Sequence, residues 1–251
     1  MGTEELHTRA SEDERIRLNK YIAECGICSR RDADKLIEAG EIEVNRAVAA
    51  PGMKVGPNDE VRYKDKIIRP VSKKVVLAYN KPIGVTCTER DEHAELTLGD
   101  VIDYPVRLNY AGRLDKDSNG LLLLTNDGDL IEALMRGSND HEKEYVVKTD
   151  KKIDESIKSR LENGIFLKEL DVTTKPCKIR IISDHKFSIV ITQGLNRQIR
   201  RMCEEVGLKV EKLTRIRVAC IELGNLTSGE YRELTHKEML RLYKEAGIQV
   251  E

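Results

Sequence analysis

The chain has 251 residues, 39% hydrophobic and 35% charged, with 43 Lys or Arg against 44 Asp or Glu and a formal net charge of −1. That length suits two domains, and the apolar content is enough for a core, which excludes a wholly disordered chain. No apolar run reaches the roughly 18 residues of a membrane helix, and Met1-Gly2-Thr3-Glu4-Glu5 lacks the basic-then-apolar order of a signal peptide, so a cytoplasmic protein with no membrane partner is expected.

Residues 1–14 are polar, acidic and aperiodic, which predicts a frayed, disordered tail. Order begins near Arg15. Leu18, Tyr21, Ile22 and Cys25 recur at helical spacing, with Gly26 placed for a left-handed cap. Ser29 opens a second short helix in capping-box order with Asp32, and Ala33, Leu36 and Ile37 form its apolar face. Ile42-Glu43-Val44, an Asn45-Arg46 turn, Val48, Val55 and Val61 predict a small sheet. The first domain is thus expected over 15–62.

Cys25-Gly26-Ile27-Cys28 is the one close pair among six cysteines. A redox motif of this spacing opens a helix after a strand, whereas Cys25 ends a helix, and no second pair completes a zinc site. The cysteines read as reduced thiols, and no metal is expected.

The charged stretch 63–73 reads as a linker, and a second domain is expected over 74–251, beginning with the apolar run Val75-Val76-Leu77-Ala78-Tyr79. Strands are predicted over 121–125, 145–149, 179–182 and 187–192, and helices over 129–136, 155–163 and 197–206. This mixed order predicts an α+β fold. The net charge argues against a nucleic-acid partner, but the local balance differs: between Leu195 and Arg217 seven basic residues face three acids.

The densest cluster of special residues is Gly112-Arg113-Leu114-Asp115-Lys116-Asp117-Ser118-Asn119-Gly120, followed by Leu121-Leu122-Leu123-Leu124. A polar loop feeding a buried strand holds its side chains on a rigid support. On composition alone it is equally a solvated surface turn. No His or Cys stands near enough in sequence to make Asp115 and Asp117 a metal site.

Two resemblances narrow the reading. Arg17-Leu18-Asn19-Lys20-Tyr21-Ile22, Ser29-Arg30-Arg31-Asp32-Ala33-Asp34 and Gly40-Glu41-Ile42-Glu43-Val44-Asn45 resemble the S4-type, or alpha-L, RNA-binding domain. That resemblance implies a module gripping structured RNA by its backbone, with Arg17, Lys20, Arg30, Arg31 and Lys35 as candidate contacts. The loop 112–120, together with Asn80-Lys81-Pro82-Ile83-Gly84-Val85, Lys143-Glu144-Tyr145 and residues 193–202, resembles the pseudouridine synthases that act on ribosomal RNA. Residues 139–145 and Asn196-Arg197-Gln198 look closest to the F type of large-subunit synthases, within the group named after the small-subunit enzyme.

The second resemblance implies a catalytic domain with a mixed, largely antiparallel sheet flanked by helices, and isomerisation of uridine without metal or cofactor. Asp115 falls on the family's catalytic aspartate, Arg200 on the arginine that pairs with it, and Tyr145 on a tyrosine that stacks on the target base. Read as a residue alone, Arg200 is also a phosphate contact on a basic helix face. Arg113 is expected to fill the space left by an extruded nucleotide or to hold its phosphate, and Arg197, Arg201, Lys212 and Arg215 to supply backbone charge.

The implied substrate is 23S ribosomal RNA near the peptidyl transferase centre, with a transfer RNA anticodon as a second target and a monomer as the default state. Three rivals stand beside this reading: a non-catalytic RNA-binding protein, a ribosome-assembly factor, and a hydrolase using Asp115 with Asp117. Carboxylates two apart at one strand end do not make a facing pair, which disfavours the hydrolase.

Overall fold

The computed structural model describes residues 15–88 and 94–249, so the tail expected over 1–14 lies outside the described residues. The chain divides between Lys74 and Val75 into two units. In the first, strand β1 (Ile16–Arg17) leads into helix α1 (Leu18–Glu24), which turns Leu18 and Ile22 inward. Helix α2 (Arg30–Glu38) starts from Ser29, whose Oγ accepts the Asp32 amide at 3.1 Å, and its Ala33 and Ile37 join the same apolar cluster. Strands β2 (Ile42–Val44), β3 (Ala47–Val48), β4 (Lys54–Val55), β5 (Val61–Tyr63) and β6 (Lys66–Ile67) follow. They form an antiparallel sheet in the order β3-β2-β5-β6, with β4 paired to β1.

The stretch 63–73 is not the linker its charges suggested. Lys64 and Asp65, both at positive φ, turn the chain from β5 into β6, the same two-residue geometry that Asn45 and Arg46 adopt between β2 and β3. Ile68 is buried, donates its amide to Val61 O and accepts from the Tyr21 hydroxyl, and Val71 N reaches Glu24 O. The charges of this segment point outward while its backbone stays in the fold.

The second unit runs β7 (Val76–Lys81), α3 (Leu98–Val101), β8 (Asn109–Ala111), β9 (Asn119–Thr125), α4 (Gly128–Met135), β10 (Lys143–Thr149) and α5 (Glu155–Glu162). A short hairpin, β11 (Phe166–Leu167) with β12 (Val172–Thr173), precedes β13 (Lys178–Ser183), β14 (Lys186–Ile191) and α6 (Gln198–Glu205). The chain ends in β15 (Val210–Val218), β16 (Ile221–Glu222), β17 (Tyr231–Glu233) and α7 (His236–Glu245). The main sheet has the order β13-β14-β10-β15-β9-β7-β17, with β8 paired to β9 and β16 to β15. Only β15 and β9 are parallel neighbours in it among the described residues. The fold is α+β, mixed and mostly antiparallel.

Each face of this sheet has its own core. Leu122 and Leu124 of β9 pack in the cluster that holds Leu161 of α5 and Ile199 and Met202 of α6. Leu121 and Leu123 pack in the other, with Leu130 and Leu134 of α4 and Leu242 and Tyr243 of α7. A strand covered on both sides needs apolar residues at every position, which explains four consecutive leucines in place of alternation. Each such side chain contributes about 2 kcal/mol of burial free energy, so β9 is a rigid support for the loop before it.

Helix α7 is capped by Thr235, whose Oγ1 accepts the Glu238 amide, while Glu238 accepts from Thr235 N and receives both Arg232 Nη atoms at 2.7 and 2.9 Å. The Arg232 hydrogen bonds hold the Glu238 carboxyl at about 2, down from an ordinary 4.5. A depressed carboxyl contributes stability that is present above its unfolded value and lost as pH falls through the folded one. Solvent reaches this pair, so Glu238→Gln is expected to cost only about 1 kcal/mol at pH 7. Urea denaturation should show the difference between variant and wild type shrinking as pH falls from 4.5 towards 2.

Candidate active site

The loop between β8 and β9 is held from several sides. Leu114 is buried and its amide donates to Cys87 Sγ at 3.4 Å, while Gly84 N donates to Lys116 O at 2.8 Å. Ser118 N closes a turn on Asp115 O, and Lys116 pairs with Glu95 at 3.0 Å. Gly120 is required by close approach: at φ +109° it lies against β15, and a Cβ there would stand 2.2 Å from Arg215 O.

Arg215 is 2% exposed, which corrects its expected role as an RNA phosphate contact. Its Nε donates to Leu121 O at 2.7 Å and its Nη1 to Arg113 O at 3.4 Å, so one buried guanidinium ties together the two ends of the loop. Tyr145, 8% exposed on β10, is aligned with Arg215 in the antiparallel register, and Arg215 is aligned with Gly120. Tyr145 thus stands on the same transverse row of the sheet as the glycine that ends the loop.

The Asp115 side chain is 35% exposed and lies 3.5 Å from Arg197 Nη1. Arg200, expected to pair with Asp115, instead approaches Asp117: Nη2 is 3.3 Å from Asp117 Oδ2, 3.0 Å from Asp117 O and 3.3 Å from Ser118 Oγ, while Nη1 donates to Val210 O. Arg197 contacts Asp117 twice, at 3.1 and 3.3 Å. The cause is local backbone. Arg197 is the N-cap of α6 in the left-handed region, φ +49°, a turn that brings both arginines to the second carboxylate of the loop. Burial would raise the Asp117 carboxyl, but the Arg197 hydrogen bond and the charges of Arg200 and Arg197 bring it below its ordinary value.

Lys81 was read only as part of a motif, and it is completely buried, donating to Pro82 O at 2.9 Å and Val85 O at 2.7 Å. Burial lowers its ammonium pKa, while Cys87, Asp115 and Asp117 act in the opposite direction. A lysine directly before proline at the end of an all-buried strand was the available signal. Arg113 and Lys212 are exposed, whereas Arg201 is engaged by Glu169 and by Asn196 O.

In the first unit Arg17, Arg30 and Arg31 are exposed. Lys35 is tied to Asp32 at 2.9 Å and Lys20 lies 3.7 Å from Glu24. Burial pushes the Cys25 thiol up to about 12, against a reactive thiolate in the Cys25/Cys28 pair. Among the described residues no cluster of three His, Cys, Asp or Glu is able to hold a metal, and no helix is long and apolar enough to cross a membrane.

Comparison with known proteins gives the family. Residues 75–205 match the RNA pseudouridylate synthase family and residues 16–61 the S4 domain. The dual-specificity RNA pseudouridine synthase RluF of Escherichia coli K12 is 43% identical over 234 residues, covering 92% of this chain and 80% of that one. An uncharacterized RNA pseudouridine synthase of Aquifex aeolicus is 34% identical over 241 residues, covering 93% and 96%. A crystal structure of a pseudouridylate synthase superposes with a TM-score of 0.68 at 31% identity, covering 90% of this chain and 99% of that one. The chain therefore belongs to the RNA pseudouridine synthases that carry an S4 RNA-binding domain ahead of the catalytic one.

Proposed function

We propose that this enzyme isomerises a uridine of 23S ribosomal RNA near the peptidyl transferase centre, in the cytoplasm and as a monomer, with Asp115 as its catalytic carboxylate. The observation that carries the reading is the loop itself: a partly exposed carboxylate on a rigid, multiply anchored turn, with Arg197 beside it and the buried Lys81 within reach of its charge. The reaction detaches the base from ribose C1′, turns it and rejoins it through C5, so nothing is oxidised and no group is imported. Attack at C1′, attack at C6 and removal of the C2′ proton all make the same demand, an ionised carboxylate aimed at the nucleoside.

The target uridine is extruded from its stack at a cost of a few kcal/mol. Arg113, exposed beside Asp115, meets the vacated position or the flipped nucleotide's phosphate. Tyr145 stacks on the base from the sheet, and Arg200 holds the loop through Asp117. The exposed charges of Arg17, Arg30, Arg31, Lys35, Arg197 and Lys212, with the half-buried Lys20 and Arg201, supply backbone affinity, which is expected to fall with salt.

Tritium release from RNA labelled at uridine C5 tests this reading. Wild type should release label from bacterial 23S ribosomal RNA, and Asp115→Asn should not. Release from transfer RNA alone would overturn the substrate assignment. Equal release by both proteins would overturn the role of Asp115.

A further inference from the structure

We propose that Lys143 is a substrate-contact residue: its ammonium binds the backbone phosphate of the extruded nucleotide, which leaves Arg113 for the vacated position in the stack. The proposal rests on the site assigned above. Strand β10 and the residue before it sort their charges by face. Glu142 and Glu144 turn to one face, where both are taken by Arg217, at 2.9 and 3.2 Å, and Glu142 by Lys178 as well. Alternation turns Lys143 to the other face, the one that carries Tyr145 and Val147 into the core. Strand β10 keeps an unbroken register against β14 from Lys143 to Lys148, so the alternation holds. The two acids beside Lys143 in the sequence are thus denied to it.

Lys143 is half-buried, and its one hydrogen bond among the described residues goes to His141 O at 3.2 Å, which leaves two of three N–H donors unused. Asp140 reaches it through charge alone, being hydrogen-bonded to Lys175 at 2.5 Å. Burial, and then repulsion from Arg215, lower the ammonium pKa. A half-buried cation that no carboxylate holds is stabilised when an anion arrives. Two alignments place it at the site. It is two residues, roughly 7 Å of strand, from Tyr145, which is itself aligned with Arg215. It also stands opposite Ile191, the last residue of β14, from which the chain runs on to Arg197 and its contacts with Asp115 and Asp117. A nucleotide held between Tyr145 and Asp115 has Lys143 at its edge. Phosphate is the anion it brings, because uracil is neutral until its bond to ribose breaks.

The test is binding to a synthetic RNA stem-loop that contains the uridine the wild type modifies, in the Asp115→Asn background so that the RNA is not consumed. Lys143→Gln is expected to weaken binding roughly tenfold and to reduce the slope of log Kd against log salt by about 0.7, and Lys143→Arg to keep both near the parent's. The second arm changes the RNA and leaves the protein alone. A methylphosphonate in place of the phosphate on one side or the other of that uridine removes one charge. At one of the two positions it should weaken the protein with Lys143 about tenfold and Lys143→Gln hardly at all. Equal losses by both proteins at both positions overturn the proposal. So does a Lys143→Gln protein of unchanged affinity and salt slope, and slower turnover by that variant with Asp115 intact would then put the ammonium on the base. If Asp115→Asn still forms pseudouridine, the site assignment fails and the proposal with it; if it is inactive while Lys143→Gln binds as its parent does, only the role of Lys143 fails.

Discussion

Asp115→Asn is expected to lower the rate of pseudouridine formation by about 10³-fold or more, while folding and RNA affinity stay close to wild type. The substitution keeps the shape of the side chain and removes its charge. Little structure depends on that charge. The loop is held by Leu114 in the core, by Gly84 N on Lys116 O and by Ser118 N on the Asp115 carbonyl, none of which involves the Asp115 carboxylate. Its one ion pair among the described residues, at 3.5 Å and partly exposed, is worth at most about 1 kcal/mol. Single-turnover rates and filter binding separate the effects, and a variant within tenfold of the wild-type rate would remove Asp115 from the chemistry.

Gly120→Ala is expected to cost roughly 3 kcal/mol or more, the largest stability loss of any single methyl added near the site. Two penalties combine there: a φ of +109° that side chains avoid, and a Cβ placed 2.2 Å from Arg215 O and 2.7 Å from Arg215 N. Both of those atoms are backbone, so the strain cannot be relieved by a rotamer change. Moving Arg215 also moves the guanidinium that ties Leu121 O to Arg113 O, so activity should fall further than stability alone accounts for. Gly112→Ala is the control. Its φ is +77°, but its Cβ would meet only the thioether end of Met135, which is able to swing aside, and a loss of about 1 kcal/mol is expected. Chemical denaturation distinguishes the two, and equal midpoints for both variants would contradict this account.

The parts of the fold that announced themselves have strong local signals. Four leucines after a glycine mark β9, and the spacing of Ile199, Met202 and Cys203 marks α6, because burial on two faces or on one leaves a visible pattern. Strand β15 left no such pattern. It carries the fully buried Arg215 at a position where burial ordinarily selects an apolar residue, and register shifts against β10 interrupt its alternation, so its arginine and lysines read as a basic surface. The hairpin at Lys64 and Asp65 escaped notice because its left-handed positions are filled without glycine. At the candidate site, the loop that carries Asp115 stood out by its composition, whereas the partners of Arg197 and Arg200 did not. They follow from a left-handed turn at Arg197, which no residue type at that position dictates.

The parallel junction between β9 and β15 also bears on how the enzyme reaches its working form. The antiparallel pairs β13-β14 and β15-β16 close over short spans, while Asn119 and Thr214, whose side chains meet at 2.9 Å across the parallel seam, are 95 residues apart in the chain. Closing so long a span is entropically costlier than closing a hairpin, and contacts of this separation are the slow ones in folding. The loop that carries Asp115 ends at that seam, and its guanidinium tie crosses it. Refolding should therefore recover hairpin structure before it recovers turnover, so a nascent or partly unfolded enzyme is silent until the seam zips shut.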